Sequence, residues 1–317
     1  MYARENYNKV KAIIDERRTS ARSLSDSRSE ELRRRSPEIR EIDEELRGTG
    51  PLIFKTALEG GDIAAVKARN QELVSKRRGI VKKLGYPEDY SDVKYTCPKC
   101  SDSGYIDTDM CSCFRELLLT ENIKSSGIGR LIDKQSFDNF DLSVYSFSDD
   151  VYADMGETLR IAKAYADGFG SEYRGVNLLF MGGTGSGKTH ISTAIAKTVI
   201  EKGYYVLYDS AQNIISAFES DKFRSGYGQS EQTANKYLDC DLLIIDDLGA
   251  EFVNQFTVSC LYNLLNTRSN RGLATVISTN LNMDGLKMTY DDRIFSRVYG
   301  RDYVVRLFGG KDYRINY

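Results

Sequence analysis

Histidine is almost missing from this chain: His190 is the single one among 317 residues. Any Ser-His-Asp or Cys-His nucleophilic mechanism would have to run through it, and its place inside a glycine-rich stretch makes it a packing residue instead. Long apolar runs are absent too. No segment approaches the ~18 apolar residues of a membrane span, and the polar opening MYARENYNKV is no secretory signal. The expected location is the cytoplasm, with no membrane partner and with six reduced cysteines. A strong charge imbalance is also lacking. The net charge of −2 does not by itself argue for nucleic-acid binding.

That near-neutrality conceals an asymmetry. Residues 1–95 hold 21 Lys/Arg against 17 Asp/Glu, whereas residues 96–317 hold 23 against 29. Charged residues are 38 of the first 95 but 52 of the remaining 222, so the N-terminal region is rich in solvated surface and sparing in core. Tyr7, Val10, Ile14, Ala21, Leu24, Leu32, Ile39, Ile42 and Leu46 recur at seven-like intervals. The pattern predicts one or two helices with a narrow apolar seam. The Ser-rich piece 19–29 and Pro37 are expected interruptions, and Gly48-Thr-Gly-Pro51 an expected break. A further helix is predicted from about Asp62 to Leu84, with Val66, Leu73 and Ile80 seven residues apart, stopped by Gly85-Tyr-Pro87. A seam of this kind folds back on itself or docks on a partner.

Cys97-Pro-Lys-Cys100 is followed, ten residues on, by Cys111-Ser-Cys113. Two cysteine pairs on short loops can set four thiolates tetrahedrally around Zn²⁺. In a reducing compartment this reads as a structural zinc site, since a redox CxxC would leave the second pair unexplained. Cys240 and Cys260 lie in apolar surroundings and are expected in the core.

Gly182, Gly183, Thr184, Gly185, Ser186, Gly187, Lys188 and Thr189 fill the pattern G-x-x-x-x-G-K-[ST] of a P-loop, with His190 immediately behind. Glycines let successive backbone N–H groups point inward at phosphate oxygens. Lys188 adds a point charge at the β- and γ-phosphates, and the Thr189 hydroxyl reaches Mg²⁺. An apolar run, Val176–Met181, precedes the loop. Ile191, Ala194, Ile195, Val199 and Ile200 follow at helical spacing. Further strands are expected at Tyr204–Asp209, Leu242–Asp246, Thr275–Ser278 and Val304–Leu307. This alternation predicts an α/β fold, a parallel five-stranded sheet flanked by helices, with ligand residues at the strands' C-terminal ends. Asp246 is then placed to hold Mg²⁺, Asp247 to polarise an attacking water, and Asn280 to orient it. Arg293 and Arg297 share one helical face within reach of a triphosphate. Phe137 and Phe140 lie where an adenine ring could be covered, although an ordinary core role is the simpler reading.

Together, Gly182–Thr189, Leu242–Asp247 with Leu-Gly-Ala-Glu251, Ser278-Thr-Asn280, Ser296-Arg297-Val-Tyr-Gly300 and Lys311-Asp-Tyr-Arg314 resemble the helicase loaders of the DnaC/DnaI type. These are AAA+ ATPases of the IstB/DnaC family. The resemblance covers roughly residues 130–317, and a zinc module behind a charged helical region matches loaders of the Gram-positive and phage kind. It implies Walker A roles for Lys188 and Thr189, and a Walker B role for Asp246. Asn280 becomes sensor I, Arg297 an arginine finger acting in trans, and Arg314 sensor II acting in cis. Arg293 is a weaker candidate beside Arg297. Where most AAA+ proteins carry Glu, this chain has Asp247, which suits slow or regulated hydrolysis, with Glu251 as a conceivable assistant. With three residues after Arg314, neither a helical lid nor a DNA-reading domain is expected there.

The expected organisation is a charged helical partner-binding region (1–95), a zinc module (96–116), a linker and start of the ATPase domain (117–174) and the AAA+ core (175–317). The expected function is ATP-dependent loading of a replicative hexameric helicase, with contacts to single-stranded DNA and self-association through the ATP sites. The cofactors are ATP/ADP, Mg²⁺ and Zn²⁺. An IstB-like helper of DNA transposition and a non-hydrolysing ATP-binding adaptor are the alternatives.

Overall fold

The computed structural model describes residues 3–59, 62–173, 175–225, 234–310 and 312. The chain divides into two compact units, Lys9–Arg115 and Met1–Asn8 with Glu116–Tyr317.

The first unit is built from α1 (Arg4–Arg35), α2 (Pro37–Leu58) and α3 (Ala64–Lys83). The break between α1 and α2 falls where Pro37 predicts it. Ser36 is extended, its hydroxyl accepts from the Ile39 N–H, and Pro37 occupies the first helical turn. The Ser-rich piece does not interrupt α1. Tertiary contacts outweigh the small helix penalty of serine there: Ser25 Oγ donates to Ser91 O at 2.7 Å, and Arg28 Nη1 to Tyr90 O at 3.2 Å. Gly48-Thr-Gly-Pro51 does not break the pattern either, because α2 continues through it to Leu58. Thr49 is buried at that point, donating to Leu46 O (2.7 Å) and accepting from Asn70 Nδ2 on α3 (2.6 Å).

Leu32, Ile39 and Val81, one from each helix, form a small core with Ile80, Tyr86 and Tyr90 against it. Asp43 lies beside this core and accepts from Arg33 Nε (2.9 Å) and Arg77 Nε (2.6 Å), so the buried carboxylate is compensated from both neighbouring helices. This part of the seam therefore folds back on itself. Leu52, Phe54 and Leu58, at the end of α2, stay exposed. The hairpin of β1 (Tyr105–Ile106) and β2 (Asp109–Met110) completes the unit, and α4 (Ser112–Ser125) follows.

The second unit continues with α5 (Leu131–Lys134), a 3₁₀ turn at Leu142–Tyr145 and α6 (Asp149–Asp167). Then come β3 (Asn177–Gly182), α7 (Lys188–Glu201), β4 (Val206–Ser210), α8 (Ala211–Ser225), α9 (Asn235–Asp239) and β5 (Leu242–Leu248). The chain goes on through α10 (Gln255–Asn270), β6 (Ala274–Thr279), α11 (Met283–Thr289), α12 (Asp292–Val298) and β7 (Tyr303–Phe308). All five strands β3–β7 are parallel, in the order β4-β5-β6-β3-β7. Each falls within two residues of its sequence-expected bounds. Side chains alternate between two cores. Leu178, Phe180, Ile244 and Val276 pack against residues of α6 and α7, while Leu179, Leu243, Ile245 and Ile277 pack against α8, α10 and α12. This strand period of two, buried on both faces, is why the strands read as continuous apolar runs. The result is a five-stranded parallel sheet between two helical layers, and it brings the C-terminal ends of β3, β5 and β6 together beside the start of α7.

Candidate nucleotide site and metal centre

The phosphate loop connects β3 to α7. Gly185 and Gly187 take left-handed backbone conformations, φ 72° and 94°, and Gly187 caps α7. A Cβ on Gly187 would come within 2.4 Å of the Tyr145 hydroxyl, which itself donates to Ser186 O at 2.9 Å. Glycine is thus required by conformation and by a close neighbour. The loop and the α7 N-terminus form one wall of a cavity of about 430 Å³, closed on its other sides by Gln135, Asn139–Tyr145, Asp247 and Asn280. Phe140 stacks on Tyr145 (5.9 Å) and meets His190 edge-on (5.1 Å). Phe137, Phe140, Val144 and Tyr145 thus pack in or against the core, as expected, while Phe140, Val144 and Tyr145 also line the cavity. His190 Nε2 lies 2.9 Å from Ser136 O and 3.0 Å from Asn139 Oδ1, which ties α7 to that segment.

Lys188 Nζ donates to Gly182 O and Gly183 O, both at 2.7 Å, and to Asn280 Oδ1 at 2.8 Å. Asn280 Nδ2 in turn donates to Asp247 Oδ1 at 3.3 Å. The two carboxylates sit on a bulge. Ile245 pairs with Ile277, but the next partner of Thr279 is Leu248, so Asp246 and Asp247 stand opposite Ser278 alone. Asp247 takes φ 54°, which Asp tolerates better than most residues. The Ser278 hydroxyl pins the bulge by accepting from the Asp247 N–H (3.0 Å) and donating to Asp246 Oδ1. Asp246 Oδ2 lies 3.5 Å from Thr189 Oγ1 and accepts from the Tyr208 hydroxyl at 2.5 Å. Burial and the Asp246 charge hold the Tyr208 phenol well above the ordinary tyrosine range, so it remains a donor.

The donor set fits Mg·ATP. A hydroxyl and a carboxylate oxygen stand side by side, a lysine bonds to a glycine loop at a helix N-terminus, and the cavity extends past the loop. Lys188, Thr189, Asp246, Asp247 and Asn280 are thus brought together with Gly182–Gly187. Arg297 and Arg293 are not. Arg297 lines small hollows with Asn177, Thr275 and Tyr303, at the N-terminal ends of β3, β6 and β7. About 16 Å of strand separates it from the P-loop of its own chain. The exposed Arg293 shares a hollow with Arg297 and Arg301 on that side. Arg314 lies outside the described residues. Glu251 is buried and accepts from the Tyr290 hydroxyl and from the Gly249 N–H at 2.9 Å, contacts that brace the loop after β5. The roles of Tyr145, Tyr208 and Ser278 are not legible in the sequence. The nearest signal for Tyr208 is a tyrosine close to the end of an apolar strand.

In the first unit, all four Sγ atoms of Cys97, Cys100, Cys111 and Cys113 lie within 4.8 Å of one another. Cys97 and Cys111 are 3.9 Å apart and Cys100 and Cys113 3.6 Å, close to the roughly 3.8 Å edge of a tetrahedron with ~2.3 Å Zn–S bonds. Asp102, fully buried with φ 50°, accepts from the Thr96 and Cys97 N–H groups at 2.8 Å each and fixes the first knuckle. Burial, followed by hydrogen bonds from the neighbouring thiols, pushes the Cys113 thiol upward. A bound cation would offset that cost by holding the sulfurs as thiolates. The quartet fits zinc.

Among the described residues no helix is long and apolar enough to cross a membrane. Residues 166–299 match the family described as IstB-like ATP binding protein. The replicative helicase loader DnaC of Escherichia coli K12 is 25% identical over 200 residues, covering 63% of this chain and 77% of that protein. The protein of the same name from Buchnera aphidicola subsp. Baizongia pistaciae is 26% identical over 173 residues, covering 55% and 66%. A crystal structure of the DnaC helicase loader is similar with a TM-score of 0.45 at 20% identity, over 55% of this chain and 98% of that one. The P-loop, the carboxylate bulge and Asn280 all lie within the matched span, and residues 166–299 are thus similar to the IstB-like ATP binding family.

Proposed function

We propose that this protein is an ATP-dependent helicase loader that binds ATP with Mg²⁺, hydrolyses it slowly, and uses the nucleotide state to switch its assembly on a replicative helicase and single-stranded DNA. The observation that carries the reading is the separation of Arg297 from the P-loop of its own chain, to opposite ends of one sheet. In a DnaC-like domain this arrangement makes the site complete only between two copies.

The chain's own groups divide the work. Loop amides and Lys188 hold the β- and γ-phosphates, and ATP binding draws Lys188 away from Asn280. Thr189 and Asp246 hold the Mg²⁺, which offsets phosphate charge when bound. Asp247 accepts a proton from the attacking water while the Asn280 amide orients that water. Arg297 of a neighbouring copy, and Arg314 in cis, stabilise charge developing on the γ-phosphate. The shorter reach of Asp247, relative to a glutamate, keeps hydrolysis slow. The γ-phosphate then acts as a switch whose loss releases the assembly. The helical region and its zinc module supply the grip on the helicase. Single-strand contacts are backbone electrostatics with some stacking.

The test is a pull-down with the host's replicative hexameric helicase, using the full chain and a chain lacking residues 1–115, with and without ATP. Retention by the full chain alone, altered by nucleotide, is the expected result. Equal retention of both chains, or of neither, rejects the loader reading. A second reading, an IstB-like transposition helper, draws on the family match across residues 166–299. It requires ATP-dependent filaments on duplex DNA, which electron microscopy would reveal.

A further inference from the structure

The hydroxyl network around Asp246 contains one member that lies on neither the P-loop nor the strands that carry the acid and its serine. Tyr208 sits on β4, the edge strand beside β5, with a ring that is 8% exposed and packed in the core. In the parallel register Tyr208 stands opposite Ile244, so the ring reaches along β5 to place its hydroxyl 2.5 Å from Asp246 Oδ2. That oxygen is the one facing Thr189; the other carboxylate oxygen accepts from Ser278. The Tyr208 and Ser278 hydroxyls, one on each oxygen and both closer than Thr189, fix the plane of a carboxylate that would otherwise rotate at a strand end.

The main chain of Tyr208 is itself fixed from outside the sheet. On the open edge of β4 its N–H donates to Ser126 O at 2.7 Å. Gly127, at φ 82°, lies so close that a Cβ would stand 2.3 Å from Tyr208 O. The turn at the end of α4 is thus pressed against the residue whose hydroxyl orients the acid. Packing in the core alone does not call for a hydroxyl at this position.

We propose that Tyr208 is a positioning residue for the Mg²⁺-holding carboxylate of Asp246, set in place by the Ser126–Gly127 turn. The proposal rests on the reading of this cavity as a Mg·ATP site. Its test is Tyr208→Phe in the full chain, which keeps the ring and removes only the donor. Affinity for a fluorescent ATP analogue is measured in EDTA and across a Mg²⁺ titration. The variant should match the wild type in EDTA, while the Mg²⁺ concentration that gives half of the metal-dependent tightening rises roughly tenfold, as for loss of other groups that orient a metal ligand. Coincident titrations overturn the proposal. So does an equal loss of affinity in EDTA and Mg²⁺, which would make Tyr208 a packing residue only. If the wild type itself shows no Mg²⁺-dependent tightening, the Mg·ATP reading has failed, and the proposal with it.

Discussion

Lys188 and Asn280, 92 residues apart, share a hydrogen bond of 2.8 Å at the C-terminal edge of the sheet. The same asparagine donates to Asp247, so the P-loop lysine and the candidate base are joined through one amide. A γ-phosphate that takes Lys188 from Asn280 frees the amide to turn toward the attacking water. Replacing Asn280 with Ala should therefore leave ATP affinity within about threefold. Turnover should fall about 10²-fold, within the range set by loss of one positioned polar group. Phosphate release measured at saturating ATP checks this, and a loss confined to affinity would remove Asn280 from the chemistry.

Arg297 faces away from its own P-loop, so its loss should be complemented by a second chain. Arg297→Ala alone should bind ATP and hydrolyse almost none of it, and Lys188→Ala alone should bind poorly. Mixing the two variants should restore a measurable fraction of turnover. Normal hydrolysis by Arg297→Ala would show that the arginine does not act in trans.

The two loop glycines make a contrast. At Gly187 an alanine meets both a left-handed backbone, φ 94°, and the Tyr145 hydroxyl at 2.4 Å. At Gly183 nothing lies within 4 Å of the added carbon. Thermal denaturation should show Gly187→Ala destabilised by about 1–3 kcal/mol and Gly183→Ala by less than about 0.5 kcal/mol.

For the cysteine quartet, fresh reduced protein should carry about one zinc per chain by metal analysis. Cys100→Ser should lower that content and expose the 97–113 segment to proteolysis, while the unit that holds the P-loop keeps its nucleotide affinity. Metal-free wild-type protein with the same protease resistance would rule out a structural ion.

Arg268 is fully buried and has only neutral partners: it donates to the carbonyls of Tyr237 (2.8 Å), Cys240 (3.0 Å) and Ala274 (2.5 Å) and to Thr275 Oγ1 (3.1 Å). It joins α9, the end of α10 and the start of β6. Arg268→Met should strand several of these carbonyls and cost about 3 kcal/mol, a value read from denaturant unfolding. No change in midpoint would mean that water replaces the guanidinium.

The strands, the P-loop and the cysteine quartet were legible because each depends on local pattern. Continuous apolar runs mark strands buried on two faces, glycines mark the phosphate turn, and CxxC with CxC marks a tetrahedral ligand set. The helical boundaries of the first unit were not. Ser25 and Thr49 hold α1 and α2 through weak sequence by bonding to Ser91 and Asn70, far along the chain. Glu251 shows the same limit from the other side. Its place four residues after Asp247 suggests chemistry, yet Tyr290 and Gly249 draw it into a structural brace.

By itself, then, the sequence determined that there is a P-loop motif, a candidate metal-holding acid at a strand end and a zinc-type knuckle, because residue type and short spacing suffice for each. Only the tertiary structure decided how these groups face one another. A one-residue bulge opposite Ser278 aims both carboxylates, an edge-strand tyrosine reaches across to Asp246, and Arg297 stands at the far end of the sheet. Those relations depend on strand register and order, which bring together residues separated by 30 to 100 positions and leave no local trace in the chain.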